Sequence, residues 1–225
     1  MSNPSDIQTR DELLRHPAIW RGRDLAHAVV PGIPTGFKAL DAELPGGGWP
    51  PACLTEIMFQ HEGIGELRIL APALADLSRQ GKIIVWIAPP YLPNAPALAA
   101  AGMELKNLFI IKTSNAQESL WVAEESLRAN ACGAVLAWTD TRDFTVMRRL
   151  QVAVEGTSTI SFVFRPISNR DKASPAPLRL VLEADQGGVG VQIIKRRGPP
   201  LHKRLVLPAN LRTKLSEEPI DPDYV

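Results

Sequence analysis

Two glycines and the residues around them form the part of this sequence best suited to chemistry. Residues 54–70 predict a strand, then a glycine-rich turn at Gly63 and Gly65, then a helix that begins near Glu66. Strand, glycine turn and helix in this order build a phosphate-binding loop, in which backbone N–H groups surround the phosphates. The sequence therefore has the layout of a nucleotide site.

The side chains that would complete such a site are replaced. A phosphate-binding loop needs a lysine for the β- and γ-phosphates and a following Ser or Thr for Mg²⁺. Here Glu66 takes the lysine position and Leu67 the Ser/Thr position. Because a carboxylate repels a triphosphate, we predict a nucleotide-hydrolase fold that has stopped hydrolysing nucleotide, with no cofactor and no metal. A plain tight turn is the alternative for the two glycines taken alone.

The residues before this loop resemble those of RecA-family recombinases. The matching positions are Thr35, Gly36, Leu40, Asp41, Gly46, Gly47, Pro50, Glu56 and Ile57. Where the family has an acidic residue that activates water, residues 85–90 are VWIAPP, and where an Asp should end the magnesium-orienting strand, residues 134–138 are AVLAW. With the altered loop, three catalytic elements are missing together, so we expect that the chain is not an enzyme.

Longer phrases resemble the bacterial ImuA family, which is related to RecA and to the SulA division inhibitors. In order, they are residues 16–22, 63–68, 86–90 with 96–98, 131–138, 164–166 and 195–198. The resemblance implies an accessory protein of SOS-induced, error-prone translesion DNA synthesis. It also implies that the protein acts together with ImuB, a Y-family polymerase-like protein. Through ImuB it would act indirectly with an error-prone C-family polymerase of the replicative type.

The function that this resemblance implies is that of a non-catalytic adaptor. Such a protein would bind ImuB, RecA or both and would help to assemble the mutagenic polymerase at damaged DNA. A SulA-like cell-division inhibitor and a weak DNA-dependent ATPase are the alternatives. Glu66 and the missing acidic residues disfavour the ATPase, whereas the length beyond the core and the basic tail favour the adaptor over the inhibitor.

Composition agrees with these classes without choosing among them. The chain has 225 residues, enough for one α/β domain, and its net charge of +1 gives no overall attraction to nucleic acid or membranes. No apolar run approaches a membrane span, and the polar start has no signal-peptide core, which predicts a cytoplasmic protein. Cys53 and Cys132 lack metal-ligand spacing, so buried thiols are expected.

Alternating strands and helices predict the fold. We predict strands at 54–59, 82–88, 108–111, 134–138 and 160–165, and helices at 66–79, 114–131 and 142–154, the second opening on a Ser114/Gln117 capping box. This alternation indicates an α/β, RecA-like, mainly parallel sheet with helices on both faces. Strands 178–183 and 189–196 predict a C-terminal antiparallel hairpin. We expect an N-terminal arm at 1–30, a RecA-like core at 31–205 and a tail at 206–225.

Basic residues are concentrated near the end of the chain. Between Lys195 and Lys214 there are seven Lys or Arg residues and no Asp or Glu. The candidate binding residues are Lys195, Arg196, Arg197, Lys203 and Arg204. They could neutralise the phosphates of single-stranded DNA. The alternatives are a solvated tail and a protein interface with RecA or with a second copy, because a recombinase presents the comparable strand end to its neighbouring subunit.

The loop at 166–177 stands where the resemblance would place a mobile DNA-gripping loop. It is short and proline-rich, and it has no aromatic side chain to stack on bases. Arg170 and Lys172 could touch phosphate, but a plain surface loop is favoured.

The N-terminal arm carries a second candidate surface. Ile19, Trp20 and Arg21 lie in a basic segment that precedes the core. RecA filaments join through an N-terminal arm that docks on the next subunit. The resemblance therefore implies that these residues bind a partner protein or another copy of the chain.

The arm hypothesis predicts that Trp20→Ala weakens association with the partner protein by about 2 kcal/mol or more, as loss of a buried aromatic anchor does. The thermal stability of the core should change little. Partner affinity and melting temperature, measured on the same preparations, check both statements. An unchanged affinity, or a large loss of melting temperature, would remove Trp20 from the interface.

Overall fold

The computed structural model describes residues 30–201 and 203–208, and the arm residues Ile19, Trp20 and Arg21 lie outside this part. The strands are β1 (Leu54–Phe59), β2 (Ile83–Ile87), β3 (Leu108–Ile111), β4 (Cys132–Trp138), β5 (Ile160–Pro166), β6 (Leu178–Asp185), β7 (Gly188–Lys195) and β8 (Arg204–Pro208). The helices are α1 (Lys38–Asp41), α2 (Ala71–Arg79), α3 (Ala95–Ala100), α4 (Ala116–Arg128) and α5 (Phe144–Val154).

The eight strands form one mixed sheet in the order β3-β2-β4-β5-β1-β6-β7-β8. All pairs from β3 to β6 are parallel, and β7 and β8 are antiparallel additions. The predicted α/β class with a C-terminal antiparallel hairpin is thereby confirmed. The strand β8 was not predicted, and it continues the sheet to Pro208.

Apolar layers lie on both faces of the sheet. One layer joins α2 to alternate strand residues such as Ile57, Leu136 and Phe162. The other joins α4 and α5 to the opposite residues, including Val135 and Val163. Because a strand exposes successive side chains to opposite faces, long apolar runs such as β4 are needed to fill both layers.

The helix α2 begins at Ala71, so the prediction of a helix start near Glu66 was wrong. Pro72 gives the reason, because in a longer helix its ring would clash with the carbonyl of Arg68 and would remove one hydrogen bond. In the first turn a proline is tolerated, since its missing N–H has no partner there anyway. Residues 66–70 form turns instead of a first helical turn.

The helix α4 has its cap one residue later than predicted. The side chain of Asn115 accepts a hydrogen bond from the N–H of Glu118 at 2.9 Å. The Glu118 carboxylate in turn accepts from the N–H of Ser114 at 2.6 Å. Asn and Asp are as good as Ser at this position, so the Asn115/Glu118 pair is the cap in place of Ser114/Gln117.

A buried carboxylate connects the three central strands. Glu56 of β1 is fully buried and forms ion pairs with Arg165 of β5 at 2.5 Å and with Arg179 of β6 at 2.6 Å. Both arginines are themselves buried. A buried charge is tolerated when it is paired and fully hydrogen-bonded, and here each carboxylate oxygen has its own guanidinium.

The same arginines hold the β5–β6 loop (residues 167–177) against the sheet. Arg165 donates to the Asn169 side chain at 2.6 Å, and Arg179 donates to the Asn169 carbonyl at 2.9 Å. Lys195 adds a hydrogen bond to the Ser174 carbonyl at 2.8 Å. The loop that the resemblance would make mobile is therefore fastened at two places.

Glu56→Ala should lower the free energy of unfolding by about 3–5 kcal/mol, because two buried guanidinium groups lose their counter-charge. Chemical denaturation of the two proteins measures the difference. Glu104→Ala is the matched control, since Glu104 forms an exposed ion pair with Lys106 at 3.7 Å, and such pairs contribute little. If both variants lost the same free energy of unfolding, the buried ion pairs of Glu56 would stabilise the fold no more than an exposed ion pair does.

Candidate functional site

The candidate phosphate loop lies at the carboxyl edge of the parallel strands, directly after β1. Gly63 and Gly65 have φ angles of 80° and 104°, which favour glycine. A Cβ on Gly65 would also lie 2.7 Å from a methyl group of Val189 in β7. The second glycine is thus required both by its backbone conformation and by close packing against the sheet.

The carboxylate of Glu66 occupies the loop. Its Oε1 accepts a hydrogen bond from the N–H of Gly63, and its Oε2 accepts one from the N–H of Gly65, both at 3.1 Å. The side chain is buried. In a phosphate-binding loop these backbone N–H groups would face phosphate oxygens. Glu66 therefore does more than repel a phosphate, because it is the loop's own anionic ligand.

The loop also lacks the support of a helix N-terminus. Within the turns after Gly65, the N–H of Arg68 donates to the Gly65 carbonyl at 2.9 Å, and that of Leu70 donates to the Leu67 carbonyl at 3.1 Å. Leu67 packs against the apolar layer beneath. Since the favourable field of a helix falls off within its first turn, a start at Ala71 leaves α2 too far along the chain to assist an anion at Gly63.

A cavity of about 610 Å³ lies beside the loop at the same edge of the sheet. We call it the carboxyl-edge cavity. Its aromatic lining includes Tyr91, Trp138 and Phe164, and the last two rings are stacked with their centroids 4.5 Å apart. Trp138 thus packs at the carboxyl edge of the sheet.

The carboxylates that line this cavity lie in loops and not at the carboxyl ends of strands. The strands β2 and β4 end at Ile87 and Trp138, which are apolar or aromatic residues. Two exposed carboxylates line the cavity, Glu62 from the loop and Asp140 from the turn after β4. Arg165 also lines it, but its guanidinium is paired with Glu56. Neither Glu62 nor Asp140 was predicted from the sequence as a site residue.

The basic candidates lie away from this site. In the antiparallel pair of β6 and β7, Lys195 stands opposite Arg179. Because Arg179 is near the start of β6, the end of β7 lies at the amino edge of the parallel strands, opposite the loop. Burial lowers the pKa of the Lys195 ammonium, Arg179 acts in the same direction, and Glu56 opposes them. Arg196 is held by the Glu43 carboxylate at 3.3 Å and the Pro199 carbonyl at 2.8 Å. These two cations are therefore engaged within the fold.

The remaining three basic candidates differ in their contacts. Arg204 forms ion pairs with Asp185 at 2.8 Å and Glu183 at 3.4 Å, and its hydrogen bond holds the pKa of the Asp185 carboxyl below its usual range. Arg197 and Lys203 are exposed and have no hydrogen bond or ion pair with another described residue. The basic segment thus presents two unengaged cations rather than a continuous patch of five.

The cysteines are buried thiols. Burial raises the pKa of the Cys53 thiol to about 11, against a smaller opposing effect of Arg197, and it also raises the pKa of Cys132. Because the thiolate is the nucleophile and metal ligand, neither side chain is activated at neutral pH. Within residues 30–201 and 203–208, no His, Cys, Asp and Glu side chains cluster in a way that could hold a metal ion. No helix in that part is long and apolar enough to cross a bilayer.

Sequence reasoning missed the buried triad beneath the cavity. Glu56 was matched only as a family position, and Arg165 and Arg179 were assigned no role. A usable signal was present, because each of the three charges stands beside apolar residues within a predicted strand. Buried charges are almost always paired, so three of them in strands of one sheet indicate a network.

Comparison with known proteins places the chain near two groups. It is 28% identical over 119 residues to RecA of Picosynechococcus sp., which is 53% of this chain and 34% of that protein. It is 26% identical over 153 residues to ImuA of Caulobacter vibrioides, which is 65% of this chain and 63% of that protein. The resemblance drawn from the motifs is confirmed, and the chain is related to the RecA and ImuA proteins. No protein-family model matches it.

These matches cover only part of the relatives. They span about a third of the RecA sequence and under two thirds of the ImuA sequence. Among solved structures, SulA from Pseudomonas aeruginosa is 23% identical and matches 52% of this chain and 99% of its own, with a TM-score of 0.44.

The occupied loop predicts that ATP with Mg²⁺ does not bind at micromolar concentrations. The lysine and Ser/Thr positions are Glu66 and Leu67, and the two amides are already hydrogen-bonded to a carboxylate. Calorimetric titration and phosphate release with single-stranded DNA are the measurements. Glu66→Gln, which removes the charge but restores neither lysine nor Ser/Thr, should also fail to bind. Saturable micromolar binding or DNA-stimulated hydrolysis by the unaltered chain would falsify the prediction.

Proposed function

We propose that this protein is a non-catalytic, cytoplasmic, RecA-like adaptor in SOS-induced translesion DNA synthesis. The relationship to RecA and ImuA proteins supports a RecA-like role connected with DNA damage. The motifs shared with the ImuA family support the finer assignment. In this role the protein binds ImuB, RecA or both and brings the error-prone C-family polymerase to the lesion indirectly.

The observation that carries the proposal is the Glu66 carboxylate on the loop amides. A RecA-like core needs those amides for phosphate, and here each of the two is hydrogen-bonded at 3.1 Å within the chain. The fold around the loop is nevertheless complete, with apolar layers on both sides of the sheet. A well-packed core whose nucleotide position is filled from within is suited to presenting surfaces to other proteins.

Arg197 and Lys203 are the described basic candidates most available to a partner. Both are exposed, whereas Lys195, Arg196 and Arg204 contact other parts of the fold. With a net charge of +1, the chain has little overall attraction to DNA. We therefore assign these two residues to a protein interface with ImuB or RecA, or with a second copy, in preference to single-stranded DNA.

Pull-down with purified ImuB and with purified RecA, each with and without single-stranded DNA, tests the adaptor role. The full chain should retain at least one of the two proteins in the absence of DNA. Retention of neither protein under any condition would contradict the proposal. Retention that occurs only on DNA would replace direct contact with co-binding to the same strand.

The double change Arg197→Ala/Lys203→Ala should reduce retention of the partner and leave DNA affinity weak and little altered. The matched control is Lys106→Ala/Lys112→Ala, which removes two exposed lysines on either side of the edge strand β3. The two double variants have the same net charge, so a loss confined to the first locates the contact.

The salt dependence of DNA affinity distinguishes a DNA-binding role of the basic residues from a role in a protein interface. If the basic residues hold single-stranded DNA, affinity should fall by roughly 0.7 log units per tenfold increase in salt for each phosphate neutralised. The slope should then flatten in Arg197→Ala/Lys203→Ala. Tight, salt-sensitive binding that this variant loses, with partner retention intact, would reverse our assignment.

A further inference from the structure

The carboxyl-edge cavity has the size of a ligand site and the wrong charge for a nucleotide. Its volume of about 610 Å³ lies within the range of roughly 300–1,000 Å³ that is typical of small-molecule and side-chain pockets. Its two exposed charged side chains, Glu62 and Asp140, are both acidic. Glu66 in the adjoining loop adds a third carboxylate. The field at this edge therefore favours a cation.

The one cation that lines the cavity offsets this field only in part. The guanidinium of Arg165 is paired with Glu56 at 2.5 Å and also donates to the Asn169 side chain at 2.6 Å and to the Thr141 carbonyl. Glu56 neutralises one of the two guanidinium charges of the triad, and the single positive charge that remains is buried, whereas Glu62 and Asp140 are exposed. His61 also lines the cavity.

The aromatic wall offers a surface suited to a planar cation. The ring of Tyr91 lines the cavity and is 72% exposed, so its face is open to a ligand. A guanidinium placed over an aromatic face is attracted by the ring quadrupole, and arginine makes such contacts more often than lysine. Together, Tyr91 and the two carboxylates provide a stacking surface and acceptors for the five donors of an arginine.

We propose that the carboxyl-edge cavity binds an arginine side chain presented by a peptide segment of a partner protein, a proposal that rests on the adaptor role. The guanidinium lies over Tyr91 and donates to Glu62 and Asp140. Phosphate and nucleotide are the competing occupants, and the carboxylates at this edge oppose both.

A blocked tripeptide, acetyl-Gly-Arg-Gly-amide, is the probe for this site. Its binding to the full-length chain is followed by the NMR signal of the Trp138 indole N–H, which Trp138→Phe identifies. The matched peptide contains citrulline, which keeps the shape of arginine and removes its charge. Pyrophosphate and ATP with Mg²⁺ are titrated in parallel. The arginine peptide should shift the Trp138 signal saturably, and the citrulline peptide should bind more weakly.

Two variants with equal loss of charge locate the binding. Glu62→Gln/Asp140→Asn should weaken the arginine peptide by about fivefold or more, as expected for two partly exposed ion pairs. Glu104→Gln/Asp171→Asn, which changes exposed carboxylates outside the cavity, should have no effect. Tyr91→Leu should also weaken binding, because the leucine cannot stack with the cation.

The proposal is overturned if the arginine and citrulline peptides bind equally, if the two double variants behave alike, or if pyrophosphate or ATP shifts the Trp138 signal at lower concentration. The pull-downs separate this proposal from the adaptor role. A partner retained equally by the unaltered chain and by Glu62→Gln/Asp140→Asn would refute the cavity assignment alone. Peptide binding without any retained partner would refute the adaptor role and leave the arginine site standing.

Discussion

The ion pairs of Glu56 are the interaction on which the centre of this structure depends. A fully buried carboxylate is very costly without partners, and here Arg165 and Arg179 approach it from the two neighbouring strands at 2.5 and 2.6 Å. The same guanidinium groups bind Asn169 and so hold the β5–β6 loop on the sheet. Arg165 also lines the carboxyl-edge cavity. One carboxylate thus links strand order, loop position and the base of the candidate site.

A second acidic residue, Glu66, has a different role at the edge of the same strand. Glu56 neutralises cations in the interior, whereas Glu66 satisfies backbone N–H groups that a phosphate would otherwise contact. Neither role is visible from the residue type. Both follow from position, because the middle of a central strand is surrounded by other strands, while the turn after it contains unpaired amides that need an acceptor.

Seven of the eight described strands and the class of the fold were predicted from the sequence, because short apolar runs between turn residues are typical of strands in a buried sheet. The sequence was less informative where the conformational restriction of a single residue overrides the spacing of apolar residues. Apolar spacing suggested a helix from Glu66, but Pro72 delays its start to Ala71. The strand β8 ends at Pro208, and a proline in a short apolar run argues against a strand. The pairing of Glu56 with Arg165 and Arg179 could not be derived, because it joins residues more than 100 positions apart that only the folded sheet brings together. The same holds for the cavity.

The Glu66 carboxylate is attached to the loop that it fills, and this attachment has a thermodynamic consequence. A free ligand occupies its site according to its concentration, whereas a tethered group competes at an effective concentration that the covalent chain fixes, in the millimolar range or above. The occupancy of the loop by Glu66 is therefore expected to be independent of the concentration of free nucleotide. In a protein whose loop binds its own carboxylate, we expect association to respond to the concentrations of the associating molecules and not to the concentration of nucleotide.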